Sequence, residues 1–338
     1  MSESLSINIG LFVAAAVIIA LVGTQMSKVS DRLADSTGLG EAVMGAVFLG
    51  GSTSLAGIVA SVTAAAGGHA ELAVSNAIGG IAAQTAFLAL ADIFYTKANL
   101  EHAAASVTNL VQGTLLITLL SIPLIGMSGP QVAIWEIHPA TIVLIAAYLF
   151  GLRLVYSSQK NKMWSPRQTK ETRQETEDES ASENNLTQLW LKFVLYAVII
   201  AVSGYVIAQA GVSIAARTGF SESVVGGLFT AISTSLPELV ITVAAVRQGA
   251  LTLAVSGVIG GNCFDLLLLG FSDIAYRQGS IYTAIANRQI FVLALTILMT
   301  GILLLGLLER EKYGVGNIGF ESFLILLIYG SGVVVLFL

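Results

Sequence analysis

Apolar residues run along this chain in long blocks, and polar positions gather in the short gaps between them. The blocks fall near 6–26, 38–66, 70–96, 103–126, 138–156, 188–211, 221–246, 250–276, 282–308 and 317–337. As helices, all are long enough for a hydrocarbon layer about 30 Å thick, and several are long enough to tilt or break. A helix that is apolar all round has no solvent face to offer, so it belongs in a membrane or a large core. The pattern therefore predicts an all-α polytopic membrane protein with about ten transmembrane helices.

Two blocks carry acids in their interior. Ile232-Ser233-Thr234-Ser235-Leu236-Pro237-Glu238 lies in one, and Gly260-Gly261-Asn262-Cys263-Phe264-Asp265 in the next. An ionisable side chain at that depth costs roughly 2.5–3.5 kcal/mol on insertion scales, so it is rarely kept without a role. Pro237 has no backbone N–H, and its hydroxyl-bearing neighbours can satisfy the groups it frees. A membrane helix can be broken in this way beside a water-lined cavity. The stretch reads as half of an ion site.

The same segment is written earlier in the chain. Ser52-Thr53-Ser54-Leu55 corresponds to Ser233-Thr234-Ser235-Leu236, Leu72-Ala73-Val74-Ser75 to Leu253-Ala254-Val255-Ser256, and Ile78-Gly79-Gly80 to Ile259-Gly260-Gly261. The register holds without a gap from Thr37 to Tyr95, against Thr218 to Tyr276. Neither acid is repeated: Gly57 stands opposite Glu238, and Gln84 opposite Asp265. A duplicated transporter half explains the match. With an odd number of spans per half, the second copy enters the membrane from the opposite side, which makes the repeat inverted. The expected organisation is a first five-helix repeat over 1–156 (its duplicated segment 37–95), a linker over 157–187, and a second five-helix repeat over 188–338 (segment 218–276).

The linker is the one sharp break in composition. Its run from Lys170 to Ser180 mixes both charge signs with almost nothing apolar, so it reads as solvated. It has no glycine for the tight turn of an EF-hand, which argues against a Ca²⁺ loop there. Lys and Arg set the orientation. With the N-terminus outside, the inner connections hold Lys28, Arg32, Lys97, Arg153, the basic residues of the linker, Arg247, Arg310 and Lys312, leaving Arg217, Arg277 and Arg288 outside. The central linker is thus expected in the cytoplasm, and the chain in the cell (inner) membrane with the lipid bilayer around it. Met1-Ser2-Glu3-Ser4 has no basic start, so the first apolar block is expected to stay as a span. Trp135, Trp164 and Trp190 read as interface anchors.

A net charge of −5 on a chain with only 11% charged residues says little about partners, and no nucleic-acid partner is expected. The single cysteine, Cys263, excludes an internal disulfide and a thiolate metal cluster built by one chain. A P-loop, a His-Glu-x-x-His pair and a Ser/His/Asp set are all missing, so the chain is expected to be neither an enzyme nor an ATP-driven pump. Hydroxyls and freed carbonyls at helix breaks are ligands for hard cations such as Na⁺ or Ca²⁺. Glu238 and Asp265 would add charge, and Asn262 and Gln84 neutral carbonyl oxygens. For Gly50-Gly51, Gly79-Gly80 and Gly260-Gly261 the favoured reading is close helix packing. Asp92 and Asp273, equivalent in the repeat, are read as helix-end caps or interhelical bonds rather than ion relays. Cys263 is read as a packing residue. His69, His102 and His138 are read as interfacial residues. Glu41 and Glu222 are read as acids at the positive ends of the broken helices.

Thr234-Ser235-Leu236-Pro237-Glu238-Leu239 matches the second-repeat signature of the cation/calcium exchanger superfamily, best known from sodium/calcium exchangers. Gly260-Gly261-Asn262-Cys263-Phe264-Asp265 resembles its Gly-Ser-Asn-x-x-Asp element, with Gly261 in place of serine. The resemblance implies ion sites arranged as a diamond between the repeats, with two gating helices sliding past a core. It makes Glu238 the principal ligand and Asp265 a second carboxylate, with Thr234 and Ser235 supplying oxygens, and it extends to Thr53 and Ser54 in the first repeat. The first repeat departs from that pattern. Its Pro-Glu pair reads Ala56-Gly57, the later amide position reads Gln84, and Gly80 replaces a serine.

Two carboxylates balance one divalent ion, two monovalent ions or two protons. Three Na⁺ against one Ca²⁺ would ask for more oxygens than remain, and repulsion between buried like charges brings proton coupling into the reading. The expected function is a secondary antiporter moving Ca²⁺ or another cation against Na⁺ or H⁺ with reduced stoichiometry. These inorganic cations are cargo, and no bound cofactor is expected. The alternative is a degenerate homologue that binds an ion as a non-transporting sensor or subunit.

Overall fold

The computed structural model describes residues 4–37, 50–95, 98–104, 106–130, 132–160, 164–167, 186–314 and 318–337. Helices account for nearly all of them. The first half holds α1 (Leu5–Thr37), α2 (Gly50–Thr53), α3 (Leu55–Ala66), α4 (Ala70–Ile93), α5 (Leu100–Ala103), α6 (Val107–Ser128) and α7 (Pro139–Lys160). The second holds α8 (Leu186–Thr218), α9 (Glu222–Val224), a π-helical stretch (Val225–Thr230), α10 (Ala231–Thr234), α11 (Leu236–Gln248), α12 (Leu251–Ala275), a 3₁₀ turn (Ile281–Thr283), α13 (Asn287–Glu309) and α14 (Phe320–Leu336). The two sets run in the same order at an offset of 181 residues, which is also the separation of Gln84 and Asp265. The register read over the central segments thus extends from α1 and α8 to the starts of α7 and α14.

Seven described helices are long and apolar enough to cross a membrane by themselves. The pair Glu222–Thr234 and Leu236–Arg247, bent by 47°, forms an eighth, and Leu55–Ala66 and Phe320–Leu336 are shorter apolar helices. The predicted block 38–66 lies partly outside the described residues, as do Glu41 and most of the linker. Some boundaries differ from the sequence expectation. α1 continues to Thr37 and α8 to Thr218, past the predicted blocks, because neither tail contains a Gly or Pro breaker. The blocks predicted at 103–126 and 282–308 begin later as spans, each preceded by a short separate turn at Leu100–Ala103 or Ile281–Thr283.

Those turns are held by the two equivalent aspartates. Asp92 accepts from the backbone N–H of Leu100 at 2.7 Å and of Gly319 at 3.1 Å. Asp273 accepts from Ile281 N–H at 2.9 Å and His138 N–H at 2.8 Å. Each aspartate therefore ties the end of a central helix to its own connection and to the first turn of the other repeat's last helix. This is capping.

α4 is almost entirely buried and α12 largely so, and the other helices pack around this pair. Small residues make the close approach possible. A Cβ on Gly79 would collide with the backbone of Gly227, and one on Gly226 would lie 2.5 Å from the Leu72 carbonyl oxygen. The π-helical stretch therefore lies backbone to backbone on α4. α1 and α8 pack along each other on the outside and cover the breaks. A Cβ on Gly23 would sit 2.5 Å from Pro237, and one on the equivalent Gly204 would sit 2.7 Å from the carbonyl of Ala56, itself the equivalent of Pro237.

Candidate cation site

Both broken helices part at the same repeat position. Ser235, with φ −97° and ψ 8°, separates α10 from α11, and Ser54 separates α2 from α3. Two local causes act in the second copy. The Thr234 hydroxyl donates to the carbonyls of Thr230 at 3.0 Å and Ala231 at 3.2 Å, so it competes for the backbone's own acceptors. Pro237, in the first turn of α11, supplies no N–H to the carbonyl one turn before it. In the first copy Ala56 has its N–H, and the break instead accompanies a side-chain bond from Ser54 to Asp265 on α12.

Asp265 is the focus of the site. It accepts from the Ser54 hydroxyl on one oxygen and from Gln84 Nε2 at 2.6 Å on the other. The same Gln84 nitrogen lies 3.2 Å from the Ser235 hydroxyl. Gln84 and Asp265 occupy equivalent repeat positions, so their contact marks where the pseudo-twofold axis crosses the core. Glu238 enters from the first turn of α11 and takes a hydrogen bond from the Thr53 side chain. Its Oε2 and the Oε1 of Gln84 are buried acceptors with no hydrogen-bond donor among the described residues. Apart from Thr53, these groups line a small cavity of about 10 Å³ together with Gly57, Asn76, Ala77, Gly80, Thr234 and Leu268.

Six of the eight residues singled out from sequence line that cavity: Ser54, Gln84, Thr234, Ser235, Glu238 and Asp265. Thr53 stands beside it and reaches it through Glu238. Asn262 does not line it: its Nδ2 donates to the Thr85 hydroxyl at 3.1 Å, on another face of α4. Asn76 was missed. Its Nδ2 donates to the Ser61 hydroxyl at 2.8 Å and lies 3.4 Å from the Gly57 carbonyl, while its Oδ1 faces the Thr234 hydroxyl at 3.4 Å. The available signal was an amide alone in the apolar middle of α4, since buried polar groups need partners.

Gly57 shows what replaces the absent glutamate. A Cβ there would lie 3.0 Å from Leu268 Cδ2, 3.9 Å from the Thr234 hydroxyl and 4.0 Å from Asn76 Nδ2. Leu268 and Asn76 crowd the direction a side chain would take. A Cβ on Gly80 would lie 3.6 Å from the Ser235 hydroxyl and one on Gly261 3.7 Å from Gln84 Oε1, so their missing side chains leave room at the axis. Cys263 is buried, with Sγ 3.7 Å from the Gln112 carbonyl. His69 is more than an interfacial residue: its Nδ1 pairs with Glu222 at 2.6 Å and joins the two repeats.

Among the described residues, neither acid of the site forms an ion pair with a basic side chain, and no cluster of three His, Cys, Asp or Glu is placed to hold a metal. The charge of the site rests on two carboxylates. Burying each without compensation costs several kcal/mol, and a cation or protons would offset that.

Helices broken beside a shared polar cavity, in two copies related by an inverted repeat, are the architecture of a membrane transporter. The family follows from the sequence as a whole. The sodium/calcium exchanger protein family matches residues 7–157 and 188–338, and the chain belongs to it. This is a family of transporters of inorganic cations, and the chain is an integral membrane protein. Among curated relatives, the sodium/calcium exchanger MaX1 of Methanosarcina acetivorans is 37% identical over 84 residues, which is 25% of this chain and 24% of that protein. Inner membrane protein YrbG of Escherichia coli is 29% identical over 150 residues, 44% of this chain and 46% of that one. The matched stretches thus span less than half the length of these relatives. A structure of the sodium-calcium exchanger NCX_Mj superposes with a TM-score of 0.62 at 18% identity, covering 98% of this chain and 99% of that one, and shows the shared fold.

Proposed function

We propose that the chain is a secondary cation antiporter whose cargo is held between Glu238 and Asp265 at the pseudo-twofold axis. One observation carries the reading. Glu238 Oε2 and Gln84 Oε1, two acceptors without donors among the described residues, line one cavity with a second carboxylate and several hydroxyls. Oxygens in that state suit a hard cation. Ca²⁺ takes about 6–8 oxygens, and the two carboxylates, the Gln84 and Asn76 amide oxygens and the hydroxyls of Ser54, Thr234 and Ser235 supply enough for one. Charge balance limits the load to one divalent ion, two monovalent ions or two protons.

Exchange follows from competition for the same oxygens. The Ser54 hydroxyl and the Gln84 amide donate to Asp265. With a cation bound, those donors would turn away and present lone pairs. Counter-ions or protons that need the same carboxylates cannot share the site with the first cation, which couples the two fluxes. The glycine contacts of α1 and α8 at the two breaks are the places where these helices would slide during alternating access. The excess of Lys and Arg favours a cytoplasmic linker, and the inner membrane protein YrbG among the relatives supports a cell (inner) membrane for this chain as well.

Gly57 favours a second reading, a non-transporting member that binds its ion as a sensor or subunit. The two readings separate in proteoliposomes carrying the purified chain. Ca²⁺ or Na⁺ flux driven by an opposing Na⁺ or pH gradient is expected, falling at least about tenfold in Glu238→Ala, since removing a charge that acts on cargo costs more than one factor of ten. Binding without flux under every gradient would select the sensor. Undiminished flux in Glu238→Ala would remove the site from both readings.

A further inference from the structure

A second pair of buried acids lies at the other end of α4, on the side where the Lys and Arg excess places the cytoplasm. Glu101 in α5 and Glu321 in the first turn of α14 are each 1% exposed. Their carboxyl groups lie close enough to act on each other, and both Glu101 oxygens and Glu321 Oε2 are buried with no hydrogen-bond partner among the described residues. Ionised carboxylates only accept, so a bond between two of them requires one proton. The slot is shaped for this. A Cβ on Gly306 or Gly319 would collide with the Glu321 side chain, so two glycines make its room.

The fold does not require acids here. In the inverted copy the equivalent positions are Tyr282 and Ala140, and the tyrosine hydroxyl is 3.4 Å from Thr141. Among the described residues, no ion pair joins either acid to a basic side chain. Asp92, facing from α4, already accepts from the Leu100 and Gly319 N–H groups. The connection after α13 brings Arg310, Glu311 and Lys312, with backbone carbonyls that receive His102 and Asn99. Arg310 directs its guanidinium at the carbonyls of Arg167 and His102, at 2.7 and 3.1 Å. Burial first, and then the nearby charges of Asp92 and Glu321, push the Glu101 carboxyl well above the ordinary range.

We propose that Glu101 and Glu321 form a proton-binding site, separate from the cation site, in which one shared proton clasps the α4–α6 connection onto the start of α14. The sign of its effect on stability is fixed. The folded protein holds this proton more tightly than the unfolded chain does, so the stabilisation is complete at low pH and is lost as pH rises through the folded pair's titration. Alkalinisation on the cytoplasmic side would release the clasp.

The test is thermal unfolding of the purified full chain between about pH 5 and about pH 9, for wild type, Glu101→Gln and Glu321→Gln, each also in an Asp265→Asn background. Wild type should lose midpoint temperature towards alkaline pH. Either amide supplies the single hydrogen the pair needs, so both variants should keep most of the low-pH midpoint across the range. Both should do so with Asp265 intact or replaced, which separates this site from the cation site. Infrared difference spectra should show a protonated-carboxyl band that disappears in Glu101→Gln. An unchanged pH profile in both amide variants would overturn the proposal, and so would failure of both to fold. Recovery of the wild-type alkaline midpoint by Ca²⁺ or Na⁺, lost in Glu101→Gln, would also overturn it, because the pair would then hold a metal.

Discussion

At the residue scale the account turns on Asp265, which takes one donor from each of two first-repeat residues, Ser54 and Gln84. Asp265→Asn keeps the shape and removes one charge. The Gln84 amide can turn over to present its oxygen to the new amide, so the fold should survive. Flux of a divalent cation should nevertheless fall at least about tenfold, because half the site's charge is gone. Asn76→Ala removes a neutral oxygen and should weaken cation affinity by less than about tenfold, in line with one modest polar contact. Isotope flux and equilibrium binding on the two variants check this order. Both acids were legible in sequence because an ionised group inside an apolar block is anomalous at a glance. Asn76 was not, since its repeat partner is Gly257 and comparison of the copies gives it no counterpart. Asn262 was read as a ligand from its place in a motif. Its side chain instead meets Thr85, a choice of helix face that neighbouring letters do not encode.

At the element scale, Gly23 and Gly204 are the points where the two long helices touch the breaks at equivalent positions. Any larger side chain must displace Pro237 or the Ala56 carbonyl. Gly204→Val should therefore reduce flux by about threefold or more while leaving cation binding nearly intact, because its contact lies outside the cavity lining. Equal losses of binding and flux would contradict a gating role. Apolar blocks located the helices well, but they did not show where α1 and α8 stop. Hydrophobicity ends at the membrane edge, whereas a helix ends at a breaker or cap. The π-helical stretch was invisible for a related reason. Val225–Thr230 is set by the tertiary approach of Gly226 and Gly227 to α4, which no local periodicity records.

At the scale of the whole molecule, an inverted repeat keeps its scaffold symmetric and lets its chemistry diverge. Asp92 and Asp273 make matching caps in the two copies, while Glu238 faces Gly57, and Gln84 meets Asp265 across the axis. The duplication could be read from the chain because it preserves register, and its inversion because each half has an odd number of spans. The crossing of the two copies at one cavity needed the fold. Binding at that cavity is tested most directly by the thermal stability of the purified chain titrated with Na⁺, K⁺, Ca²⁺, Mg²⁺ and Mn²⁺ at fixed pH. At about 100 times Kd a bound ion contributes about 2.7 kcal/mol to the native state, enough for a rise of several degrees. The account predicts a saturable rise with at least one of these cations, absent in Glu238→Gln and in Asp265→Asn. No rise with any of them, or the same rise in both variants, would contradict it.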